Sequence, residues 1–215
     1  MNERLLLKCA RVLSSLFSPF YMTLVVFACI LLHGLKRLLY VGYVPSLLGY
    51  VVLLFMVTCF TAVIPLASIS VFRRAMRLSR GALLQRRNRA IPYVMTILSY
   101  LACTVMLSIL NVPAYLQGAV VAALVTLMLC AVINMWWKVS VHMAALGGVT
   151  AALGVCGVVM NFNPLWHMCL LFLISGVVGT SRMILRQHTL SQILWGFGLG
   201  VACSTLFMIR GFLKI

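Results

Sequence analysis

Acidic residues are nearly absent from this chain: Glu3 is the one Asp or Glu among 215 residues, against seventeen Lys and Arg. Carboxylates dominate the oxygen cages that hold Mg²⁺, so a resident cage of that kind is not expected. Thiol and imidazole sites fare no better. The eight cysteines are scattered without a C-x-x-C pair, and no His/Cys cluster has the ligand spacing of a zinc site. Neither a metal nor a cofactor is expected. Charge of either sign is also scarce, at 8% of residues.

What fills the chain instead is apolar. Hydrophobic residues make up 64% of it and the mean hydropathy is +1.15, which a water-soluble domain could reach only by exposing most of its surface as apolar patches. Apolar runs of about 18 to 25 residues recur, the length that crosses about 30 Å of hydrocarbon as a helix. Sheet edges and open loops cannot survive there, so the expected fold is all-α, a polytopic transmembrane helical bundle. Seven stretches stand out: about Pro19 to His33, Val44 to Phe72, Pro92 to Leu110, Tyr115 to Trp137, Val141 to Met160, Leu165 to Gly179 and Thr189 to Ile209. The first is short, giving six to seven spans. Residues 1–18 precede them, and their leucines with spaced Arg4, Lys8 and Arg11 predict an amphipathic helix lying in the interface. No linker, low-complexity segment or internal repeat divides the chain, so residues 1–215 form one integral-membrane domain.

Three cationic breaks interrupt the apolar pattern. One carries Arg73 to Arg89, one is Lys138 to His142, and one is Ser181 to His188 with Gln192 beyond it. Because successive spans alternate sides, all three fall on one face. With the N-terminus that face holds thirteen of the seventeen cations, leaving Lys36, Arg37, Arg210 and Lys214 opposite. Counted this way, the positive-inside rule places the face in the cytoplasm. Each break also precedes a helix start. Pro92 suits the first helical turn, Ser140 is a good N-cap, and Thr189 with Gln192 reads as a capping box. Helix N-termini flanked by Arg, Lys and His attract anions, and guanidinium groups bind phosphate bidentately. The ligand implied is a phosphate at the membrane surface, most simply a lipid headgroup. Membrane lipids and a lipid phosphate substrate are the expected partners, and no nucleic acid is. Two histidines beside a phosphate can divide the work of its transfer, one as nucleophile and the other as acid for the leaving alcohol.

These residues resemble a known family. Ser181 and Arg182 followed by His188 are similar to the third signature of the type 2 phosphatidic acid phosphatase (PAP2) superfamily. Val139 to His142 resemble its second signature, Pro-Ser-Gly-His, and Arg87 to Pro92 its first. The likeness covers about residues 73–211. The runs RRNRAIP, WWKVSVHMAALGG and HTLSQILWGFGLG resemble compact PAP2-like membrane proteins of Bacteroidetes. The resemblance implies a metal-independent lipid phosphatase of the bacterial inner membrane, acting through a phosphohistidine. It makes His188 the nucleophile and His142 the acid. Arg89, Ser140, Ser181 and Arg182 would hold phosphate, and Lys138 or Arg80 would stand in for the first-signature lysine. Family members commonly work on the periplasmic face, opposite to the charge count. Two departures are plain: Gln192 stands where the family has an Asp that orients the nucleophile, and Val141 stands where it has Gly. A neutral amide accepts a hydrogen bond from imidazole but does not stabilise imidazolium as a carboxylate does. A non-catalytic phospholipid binder or transporter is the alternative. The plainer reading of the Arg73 to Arg89 run is a basic loop meeting anionic headgroups.

Overall fold

The structure, a computed structural model, describes residues 3–40, 47–77 and 90–213, with side chains described from 3–31, 48–77 and 90–213. Among the described residues every regular element is a helix: α1 (Glu3–Leu16), α2 (Pro19–Tyr40), α3 (Leu47–Thr58), α4 (Ile64–Ala75), α5 (Ala90–Ile109), α6 (Ala114–Ile133), α7 (Val141–Met160), α8 (Leu165–Ile184) and α9 (Leu190–Leu213). A single π-turn, Cys59–Val63, joins α3 to α4 into one rod. Among the described residues six helical stretches are long and apolar enough to cross a membrane, and a seventh is added if α1 and the start of α2, bent by 49°, count as one. Large apolar side chains face outward along them, among them Phe55, Leu98, Val132, Leu173 and Trp195. In water that surface would aggregate; in hydrocarbon it is the expected exterior.

Local chemistry sets two of the helix ends. Asn111 and Asn161 adopt the left-handed conformation after α5 and α7, a role Asn takes more cheaply than most residues. The amides that follow them, Val112 and Phe162, bond back to Leu107 and Gly157 at 3.0 and 3.1 Å. The π-turn has an equally local cause. Pro65 lacks an N–H, and its ring would crowd the carbonyl one turn earlier, so the helix widens there. Ser99 of α5 donates its hydroxyl to the Phe60 carbonyl inside that turn.

One expectation needs correcting. The apolar pattern predicts a sixth span over about Leu165 to Gly179, but α8 continues through Ser181 and Arg182 to Ile184. Nothing in Thr180 to Ile184 breaks a helix, and a cation in the last turn suits the negative end of the dipole. The true break begins at Leu185. Arg186 takes the left-handed conformation, and the Gln187 amide bonds to the Arg182 carbonyl at 3.1 Å, which folds the chain back over the end of α8.

α7 is the central helix: 61% of its spanning window is buried, against 28 to 44% for the other five. It runs parallel to α9, with Ser140 beside Gly196 and Ala144 beside Gly200, while α6 runs antiparallel to α9, with Ala114 beside Gly211. Because lipid tails are as apolar as the helices, such contacts depend on close packing rather than on the hydrophobic effect. A Cβ added at Gly200 would overlap the Ala144 carbonyl, and one at Gly196 would come within 2.6 Å of the Ser140 oxygen. At Gly198 nothing lies within 4 Å. Gly200→Ala is therefore expected to destabilise the fold by about 1–3 kcal/mol or more, whereas Gly198→Ala should be neutral or stabilise it by up to about 1 kcal/mol. Thermal unfolding of the two variants in detergent checks the contrast; equal melting temperatures would refute the α7–α9 packing described.

Candidate functional site

The tight α7–α9 contact brings the second and third cationic breaks together. The Ser140 amide donates to the Gln192 carbonyl at 3.3 Å, so the first turns of α7 and α9 lie side by side. His142 on α7, His188 just before α9 and Arg182 at the end of α8 line one cavity of about 380 Å³. Pro92 and Tyr93, from the first turn of α5, line it too. Away from these groups the walls are mostly apolar. On α7 they run from Val141 to Val149, about 12 Å of helical rise into the bundle.

His188 is held by a hydrogen-bond chain whose direction is fixed. The Thr189 amide donates to Gln192 Oε1 at 3.2 Å, the Gln half of the expected capping box. An amide N–H needs an acceptor, which settles which end of the Gln192 side chain is oxygen. The same oxygen lies 3.2 Å from His188 Nδ1, so Nδ1 carries the proton and donates it. In the neutral ring Nε2 then holds the lone pair. The Thr hydroxyl does not cap the helix as a capping box predicts; it lies 3.0 Å from the Ser191 hydroxyl.

Arg182 is only 8% exposed. A buried guanidinium ordinarily meets a carboxylate, since an uncompensated ion costs several kcal/mol. This chain has one acid, Glu3, which lies eleven residues before Ser14 on α1, about 16 Å along the helix axis. Arg182 Nη1 donates instead to the Ser14 hydroxyl oxygen at 2.8 Å. His142 Nε2 lies 3.1 Å from the Ser14 carbonyl oxygen. A carbonyl only accepts, so Nε2 of His142 bears hydrogen.

The other expected site residues are placed differently. Ser140 does occupy the N-cap position of α7, but its side chain makes no capping bond. Its hydroxyl oxygen is buried with no hydrogen-bond partner among the described residues. The Ser181 hydroxyl turns back along α8 to the Val177 carbonyl at 2.8 Å, and Ser181 lines a groove between α1 and α8. Lys138 is half-buried in the turn before α7. None of these three lines the cavity with the histidines. Helix geometry explains Ser181: on α8 it is rotated about 100° from Arg182, so the two cannot face one ligand together. Arg80 and Arg89 lie outside the described residues.

Sequence reasoning missed Ser14, and also Thr23, Thr96 and Tyr100, which line the cavity. Thr23 and Tyr100 pair across α2 and α5 at 3.0 Å. The Thr and Tyr residues sit in apolar runs where a small or aromatic side chain is unremarkable. Ser14 had one signal: it lies four residues after Ala10, and these two are the buried residues of α1. Comparison of this chain with protein-family models, curated proteins and solved structures returns no match.

Proposed function

We propose that this chain is a lipid phosphate phosphatase of the PAP2 kind, cleaving a phosphomonoester or pyrophosphate of a membrane lipid without a resident metal. The observation that carries this reading is the buried Arg182 with two histidines in one cavity, in a chain with a single, distant acid. A cavity with cationic groups at one end and apolar walls beyond suits a lipid with an anionic head. Phosphate oxygens would supply the negative charge that the protein does not, and guanidinium is the side chain best shaped to receive them.

In this reading the Nε2 lone pair of His188 attacks phosphorus and the bond from phosphorus to the lipid oxygen breaks. His142 gives its Nδ1 proton to that oxygen, and Arg182 neutralises charge on the phosphoryl oxygens. Water then attacks the phosphohistidine, the P–N bond breaks, and His142 takes the proton from the water. Candidate substrates are phosphatidic acid, phosphatidylglycerol phosphate, a polyprenyl pyrophosphate or lipid A. Purified protein in EDTA, presented with this panel, is expected to release inorganic phosphate from at least one member; release from none, with lipid phosphate still bound, would favour a binder or transporter.

That second reading draws on Gln192. Its amide orients His188 but does not offer the charge of the family's Asp. Gln192→Asp is expected to raise turnover about tenfold or more, since an orienting carboxylate is worth up to about 10⁴ in hydrolase triads. A fall in turnover on that change would mean the amide itself is the working group.

A further inference from the structure

We infer that Ser14 is a positioning residue for the phosphate site, and that the C-terminal turn of α1 serves as its counter-charge. The inference rests on the phosphatase or phosphate-binding reading of the cavity. Ser14 is 6% exposed and contacts two site residues through two different atoms. Its hydroxyl oxygen takes the Arg182 Nη1 hydrogen bond and its carbonyl oxygen takes that of His142 Nε2. The partners are 168 and 128 residues away in sequence, so one residue of α1 ties α7 to α8. Ser14 itself does not line the cavity. It holds both side chains from behind rather than filling the place of a ligand.

The position of Ser14 in its helix explains the fit. α1 ends at Leu16, which places the Ser14 carbonyl among the last four, whose oxygens lack an intrahelical partner. His142 satisfies it. The negative end of the α1 dipole thus points at a cationic cluster, and α8 brings its own C-terminal turn beside Arg182. Two helix ends take the part that carboxylates play in chains richer in acid. The contact to His142 also selects the tautomer: with hydrogen on Nε2, proton exchange with the substrate falls to Nδ1. α1 is fixed to do this by its packing on α8. Leu6, Ala10 and Leu13 face the α8 groove, while Arg4, Lys8 and Arg11 remain exposed.

The test uses full-length Ser14→Ala and Ser14→Thr in detergent, with wild type alongside. Affinity is measured with inorganic phosphate by calorimetry, and KM and kcat with a lipid phosphate that the wild type cleaves. A hydrogen bond to a charged group is worth enough that Ser14→Ala should weaken phosphate binding and raise KM about tenfold or more. Its effect on kcat should be smaller, because the carbonyl to His142 remains. Ser14→Thr keeps the hydroxyl and should restore KM and affinity. Unchanged affinity and KM in Ser14→Ala would overturn the inference while leaving the phosphate site standing. So would equal impairment of both variants with lowered melting temperatures, which is what a merely structural Ser14 produces. A wild type that neither binds nor releases phosphate overturns the proposed function and this inference together.

Discussion

His188→Ala is expected to lower phosphate release from a lipid phosphate by about a thousandfold or more, the scale seen when a covalent nucleophile is removed from a hydrolase. The loss should fall on kcat. In the folded protein His188 lies in the turn before α9, held to Gln192 and lining the cavity. Removing its ring leaves Arg182, His142 and Ser14 in place, so phosphate affinity should change far less than turnover. Kinetics over a range of lipid phosphate, with inorganic phosphate as a competing ligand, separate the two effects. If His188→Ala lost affinity and turnover in equal measure, His188 would be a binding group and not a nucleophile.

Arg182→Gln is expected to act on both quantities. Its guanidinium is the buried cation of the site, and a donor aimed at developing negative charge in a water-poor pocket is worth about 10² to 10³ in turnover. Ground-state phosphate binding should weaken as well, since the same group meets the ligand before reaction. Arg182→Lys should recover part of the charge but not the two-pronged geometry, and should fall between wild type and Arg182→Gln. Gln at this position is two bonds shorter than Arg and gives up the Nη1 contact to the Ser14 hydroxyl, so melting temperatures in detergent are read alongside to separate any loss of fold from loss of charge. If Arg182→Gln retained full phosphate affinity, the buried charge would have some other purpose.

The membrane-spanning architecture was legible because it follows from composition and length alone. The stretch about Val141 to Met160 corresponds to α7, and Ser140 before it marks its start chemically. The start of α9 was legible for the same kind of reason, through the Thr189–Gln192 pair. The end of α8 was not. Arg182 looked like the edge of a loop, yet a cation in a last helical turn is favourable, and the chain turns only at Leu185. Within the site, His142, His188 and Arg182 converge as their pattern suggested, because small residues on α7 and α9 let those helices touch. Ser181 does not join them, because adjacent positions on a helix point in different directions, and Ser140, in the extended N-cap position of α7, does not line the cavity either. Ser14 could not be assigned to the site from its neighbours. Its two hydrogen bonds reach α7 and α8 from the far end of the chain, and no local pattern encodes a contact of that range.

Phosphoryl transfer through His188 is open to a direct test, rapid quenching with a ³²P-labelled lipid phosphate. Wild-type protein quenched during turnover should carry an acid-labile, base-stable label on His188 that disappears on chase with unlabelled substrate, and His188→Ala should carry none. Steady turnover by wild type with no labelled histidine, together with undiminished release by His188→Ala, would contradict it.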